Sequence, residues 1–296
     1  KMKILNVNAP FFTKLNFKGR AEDSFFAEMA KGIFSQKNDS FEKEKSDDDD
    51  FGSMMSSRDS VLKSFAVEET NDIDDVQHNN FNTLTDFTST LKNLKIPNEE
   101  SEFFVLLGAY ERDRQYHNLE HLRNMLTNLN AYEDLTRQRI KNRDIFKLAI
   151  YYHDFVNGES NDVEKSANAA IKLLQKSKGK YASNNAALLK KLILATGHTK
   201  DLSNASFEEK LISDLDMAVL ASTPEEYKDY TNKVRKEYED KNYSSSEFDK
   251  GRSLFLAKML DTGHIFYTPF FQLNYETKAR DNIKQELESL KARITD

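Results

Sequence analysis

The run Ile145-Phe146-Lys147-Leu148-Ala149-Ile150-Tyr151-Tyr152-His153-Asp154 decides how the rest of the chain is read. Ile145, Leu148, Ala149 and Tyr152 repeat at the three-and-four spacing of one helix face, and the unbroken apolar stretch 148–152 marks the helix for the interior. It closes on two ionisable residues. An Asp carried to the end of a buried helix is costly to desolvate unless a cation faces it. The same ten residues therefore predict a core helix and a charged centre at its end.

The helical spacing continues on both sides. Phe103, Phe104, Leu107 and Tyr110 share it, as do Leu122, Met125, Leu126 and Leu129. Ile171, Leu173 and Leu174 follow, then Leu188, Leu189, Leu192 and Ile193. Thr223-Pro224-Glu225-Glu226 reads as an N-cap, a proline at the first helical position and acids in the first turn. With only nine glycines and four prolines in 296 residues, and helical periodicity from about Asn71 onward, the chain is expected to be all-α.

The first part of the chain differs. Phe11, Phe12, Phe17, Phe25, Phe26 and Phe34 are apolar anchors, but the stretch 35–60 holds four successive aspartates, Asp47 to Asp50, among serines and charges. Such a composition buries too little apolar area to offset its ordering entropy. Residues 1–72 are thus expected to form a variable, partly flexible N-terminal extension with an acidic low-complexity loop at 35–60, and residues 73–296 a helical domain.

Composition narrows the chemistry. The chain has no cysteine, which excludes disulfides, thiolate catalysis, zinc–thiolate sites and iron–sulfur clusters. Any bound metal must be held by His, Asp, Glu or water. A formal charge of −6 gives no basic footprint for broad nucleic-acid binding. No run of 18 apolar residues predicts a membrane span, and the N-terminus lacks a signal-peptide pattern, so a cytoplasmic location is expected.

Histidines and aspartates recur on the apolar segments. His117 and His121 are four apart and share a helix face. His198 follows the apolar run Leu192–Ala195, and Asp214 and Asp216 interrupt another, from Leu211 to Leu220. Each of these alone is more often a hydrogen-bonded core residue than a ligand. A bundle that gathers four such faces creates an oxygen-and-imidazole site suited to Mn, Fe, Zn or Mg.

The order of these elements resembles the HD superfamily of metal-dependent phosphohydrolases: a His, then an adjacent His-Asp, then a distant Asp. Tyr116-His117-Asn118-Leu119-Glu120-His121 is similar to the signature of cyclic-nucleotide phosphodiesterases, a branch of that superfamily. A group of HD phosphohydrolases resembles the chain further at Arg114-Gln115-Tyr116-His117-Asn118, Ser166-Ala167, Asp214-Leu215-Asp216 and Val234-Arg235-Lys236-Glu237-Tyr238. The likeness continues at Gly251-Arg252, Ile265-Phe266 and Ala279-Arg280-Asp281-Asn282, and covers about residues 75–296. One departure is at 161–164, where the group has an Asn-Glu pair and this chain has Asn161-Asp162-Val163-Glu164.

The resemblance implies an HD-type helical bundle binding one or two divalent metal ions through His121, His153, Asp154 and Asp216, with Asp214 the alternative to Asp216. It implies hydrolysis of a phosphoester by metal-activated water, with Asp154 accepting the water proton and His117 as general acid. Arg114, Arg235, Arg252 and His198 are the expected substrate-binding groups. The expected ligand is a phosphorylated small molecule, with a nucleotide the leading class and either a monoester or a diester as the bond cleaved. The alternative is a non-catalytic or regulatory metal- or nucleotide-binding module acting through a protein partner, which the N-terminal extension would engage.

Overall fold

The computed structural model describes residues 75–111, 114–158, 160–177 and 181–295. The expected boundary at 72/73 and the acidic stretch 35–60 lie outside these residues. Among the described residues there are ten α-helices and one short 3-10 turn, and no strand. The all-α expectation holds. No described helix is long and apolar enough to cross a membrane.

The helices are α1 (Asp75–Asn93), α2 (Glu99–Tyr110), α3 (Leu119–Thr136), α4 (Arg143–Tyr152), α5 (Asp162–Leu174), α6 (Tyr181–Ala195) and α7 (Phe207–Met217). A 3-10 turn (Ala218–Ala221) leads to α8 (Pro224–Asp240), α9 (Ser245–Asp261) and α10 (Pro269–Thr295). Helix α4 is the axis of the first group. Every residue from Ile145 to Tyr152 is buried, and α1, α3, α5, α6 and α7 all pack on it. Each such aliphatic or aromatic side chain contributes about 1.5–3 kcal/mol on leaving water. Lys147 and the Tyr151 hydroxyl both bond to Asp86, at 2.5 and 2.6 Å, which fastens α1 to this axis.

Helices α8, α9 and α10 form a second group, joined to the first through the 3-10 turn. Asn282 donates to the carbonyls of Leu220 and Ser222, both at 2.9 Å. The starts of α7, α8 and α9 are fixed by capping boxes: Ser206 with Glu209, Thr223 with Glu226, and Ser244 with Glu247. Pro224 at the first position of α8 is the arrangement its sequence predicts. One expected core residue sits elsewhere: Phe103 is buried, but Phe104 is 69% exposed, because α2 turns the face of Phe103, Leu106 and Tyr110 inward.

Candidate metal centre

Four chain segments bring ionisable side chains to the end of α4. Helix α4 stops at Tyr152, and His153 and Asp154 form the turn that follows. His121 comes from the first turn of α3, whose start is capped by the Asn118 side chain accepting from the Glu120 N–H. Asp216 comes from the end of α7. His198 comes from the α6–α7 connection, where it holds a left-handed backbone with φ of 48°. A non-glycine residue in that region is a strained one, and such strain gathers at functional sites.

His121, His153 and Asp154 present ligand atoms all within 4.8 Å of one another, a group that could hold a metal ion. The Nε2 atoms of His121 and His153 are 3.1 Å apart, and His153 Nε2 is 3.0 Å from Asp154 Oδ2. Asp216 stands beside this trio: its Oδ1 is 3.1 Å from His121 Nε2 and 3.6 Å from His153 Nε2. Its other oxygen lies 2.8 Å from His198 Nε2.

These atoms fit a cation by their chemistry. His153 Nδ1 is 2.8 Å from the Ile150 carbonyl, which can only accept, so Nδ1 carries a proton. In the neutral ring Nε2 then presents its lone pair to the centre, the tautomer that metal-ligating histidines adopt. His121 Nε2 faces both His153 Nε2 and Asp216 Oδ1 at 3.1 Å, and one hydrogen cannot serve both. A cation among them satisfies all of these lone pairs together. Without a cation, a second ring proton on His153 takes its place. Burial works against a charged His153, yet Asp154 and Asp216 outweigh it and lift the imidazole to about 9. Burial also opposes charge on Asp154 and Asp216, but the histidines hold both carboxyls below their usual range. His121, for which burial dominates, is pushed down and kept neutral.

His117 is next to this group rather than within it. Its ring centroid is 6.0 Å from that of His121, and its Nδ1 is 3.0 Å from Glu237 Oε1. Glu237 is a carboxylate that the sequence reading quoted but gave no role. Its side chain is 1% exposed. It accepts from the N–H groups of Tyr116 and His117, from Asn157 Nδ2 at 2.7 Å and from Lys241 Nζ at 3.2 Å. Burial would raise the Glu237 carboxyl, but His117 and these donors hold it far below the ordinary range. In return Glu237 overcomes the burial of His117 and raises its imidazole above the usual value.

Asp214 is turned away from the centre. Its oxygens accept from the Tyr267 and Thr268 N–H groups, both at 2.7 Å, and from the Thr268 hydroxyl at 2.6 Å, so it anchors the start of α10. Of the two aspartates, Asp216 is the one beside the histidines. Glu164 is exposed. Ser166 has a structural task, closing the turn after Asp154 by bonding both the N–H and the carbonyl of Val156.

The three arginines expected to hold substrate are committed to other partners. Arg114 lies over the Tyr110 ring and donates to the carbonyls of His117, Asp154 and Phe155, tying the two motif segments together. Arg235 pairs with Asp249 and lies over Phe248. Arg252, 5% exposed, makes a two-pronged pair with Glu286 and donates to the Tyr230 hydroxyl. Each guanidinium has a carboxylate or carbonyl partner that the one-dimensional pattern does not reveal. His198, the fourth expected substrate group, is placed at the centre through Asp216.

A groove of about 2100 Å³ opens from His121 and Asp216, with Tyr116, Asn124, Tyr230 and Lys233 on its walls. Comparisons of the chain with protein-family models, with curated proteins and with solved structures find no match.

Proposed function

We propose that this protein is a metal-dependent phosphohydrolase of the HD type that cleaves a phosphoester, with a nucleotide as the leading substrate class. The observation that carries this reading is the convergence of His121, His153, Asp154 and Asp216 at the end of the core helix, with His117 beside them on its own carboxylate. His121, His153, Asp154 and Asp216 would hold the cation. A divalent ion there supplies Lewis acidity, polarising a phosphoryl oxygen and acidifying water.

The chain's own groups then divide the proton work. Asp154 is the more exposed of the two carboxylates, at 26% against 14% for Asp216, and takes the proton of the attacking water. The water oxygen bonds to phosphorus as the bond to the leaving oxygen breaks. Glu237 fixes the His117 proton at Nδ1 and favours the imidazolium, so Nε2–H is the proton passed to the leaving oxygen. The groove walls, Lys233 and Asn124 among them, are the surfaces left for the rest of the substrate.

The test is a panel of phosphomonoesters and cyclic and linear phosphodiesters, each assayed with Mn, Fe, Zn and Mg. Turnover of at least one member, lost in Asp154→Ala, is the expected result. A metal-loaded protein inactive on every member would overturn the enzymatic reading in favour of a metal-binding module.

A further inference from the structure

A second cavity, of about 60 Å³, is lined in part by His198 and shares no lining residue with the groove. Lys200, Lys258 and His264 line it together with His198 and Ser213, and none of its twelve lining residues is acidic. In a chain of net charge −6 that lining is unusual. The large groove makes the contrast: six acids line it, Glu120, Asp216, Glu225, Glu226, Asp229 and Asp281, against two lysines. Neither Lys200 nor Lys258 has an ion pair among the described residues, whereas Lys233 of the groove is paired with Asp229 at 2.7 Å. Asp201, close enough to sense His264, keeps its carboxylate bonded to the Ser203 N–H and hydroxyl.

We propose that this cavity binds a free tetrahedral oxoanion of phosphate size, through Lys200, Lys258, His264 and the Ser213 hydroxyl. Size supports that class. With about 60 Å³ the cavity has room for more than a single water, which needs about 10–15 Å³. The site is wired to the metal centre by one ring: His198 Nδ1 is 3.4 Å from Ser213 Oγ, and its Nε2 is 2.8 Å from Asp216. The inference stands on the cavity alone and does not require the proposed hydrolysis.

Methionines supply local reporters. Met217 and Met259 line the small cavity, while Met125 lines the groove beside His121. Full-length protein carrying 13C-methyl methionine should be titrated with inorganic phosphate. The Met217 and Met259 methyl signals should shift saturably, and the double variant Lys200→Gln, Lys258→Gln should raise the dissociation constant roughly tenfold or more, through loss of two charge-assisted hydrogen bonds. Phenylphosphonate, the same head on a bulkier body, tests the free-ion assignment and should bind more weakly. Equal affinity for it would overturn the free-ion assignment. Shifts confined to Met125, or shifts at Met217 and Met259 indifferent to the lysine changes, would overturn the site.

Discussion

The side chains of Arg252 and Glu286 are as dry as those at the metal centre, yet the two groups are completed in different ways. Arg252 gives two parallel hydrogen bonds to Glu286 and a third to Tyr230, and its plane lies near the Tyr230 and Phe255 rings. One positive group meets one negative group, and the donors find acceptors. At His121, His153, Asp154 and Asp216 the ring nitrogens and carboxylate oxygens converge on one another instead, and a proton held on His153 stands where a cation could. A buried cluster that satisfies itself fastens helices. One whose ligand atoms converge on a shared point could hold a cation.

Substitutions can sharpen or break that contrast. The largest effect is expected from Asp154→Ala, which should remove metal retention and hydrolysis together while leaving the helical circular dichroism in place. Next, His117→Ala should lower turnover by about a hundred- to ten-thousand-fold with metal content unchanged, as loss of a general acid does. Equal metal loss in both variants would make His117 a ligand and erase the boundary drawn around the centre. Arg252→Ala should do the reverse. Leaving Glu286 buried without its partner should cost about 3–5 kcal/mol in urea unfolding, with metal content per folded molecule unaffected.

A smaller effect is expected at Glu237. Glu237→Gln keeps the shape but weakens the hold on His117, and turnover should fall roughly ten- to a hundredfold, the scale seen when a supporting partner is lost. The pH dependence has a definite sign. The Glu237 carboxyl is held below its ordinary value, so its stabilisation is complete above the usual Glu range and is lost as pH falls through and below it. Wild type should therefore exceed the Gln variant in stability most between the usual Glu and His ranges. The gap should shrink from about pH 5 downward as Glu237 protonates, and narrow above about pH 6.5 as His117, whose imidazole Glu237 raises, loses its proton. A gap independent of pH would show that Glu237 is not ionised in the folded protein.

Much of this was legible in the sequence. The spacing in 145–152 predicted the core helix, and Thr223-Pro224 predicted the start of α8. The resemblance to the HD superfamily singled out His121, His153, Asp154 and Asp216, the first three of which form a group that could hold a metal ion. What stayed hidden depends on partners distant in the chain. Glu237 sits in the charged run Arg235–Asp240 and reads as a surface residue, yet it serves His117 from 120 positions away. The arginines read as anion holders because Asp249 and Glu286 cannot be matched to them along the sequence. Asp214 and Asp216 differ by two positions, about 200° around a helix. Spacing says that only one can face the histidines, and packing against Thr268 decides which.

The central claim, that these buried lone pairs await a cation, is tested most directly by metal binding. Purified protein should be stripped with chelator and titrated with Mn, Fe and Zn under calorimetry, beside His153→Ala. At least one equivalent should bind wild type and raise its unfolding temperature, and the variant should show neither effect. A stripped wild type that binds none of these ions, or a His153→Ala protein that binds as well as wild type, would contradict the account.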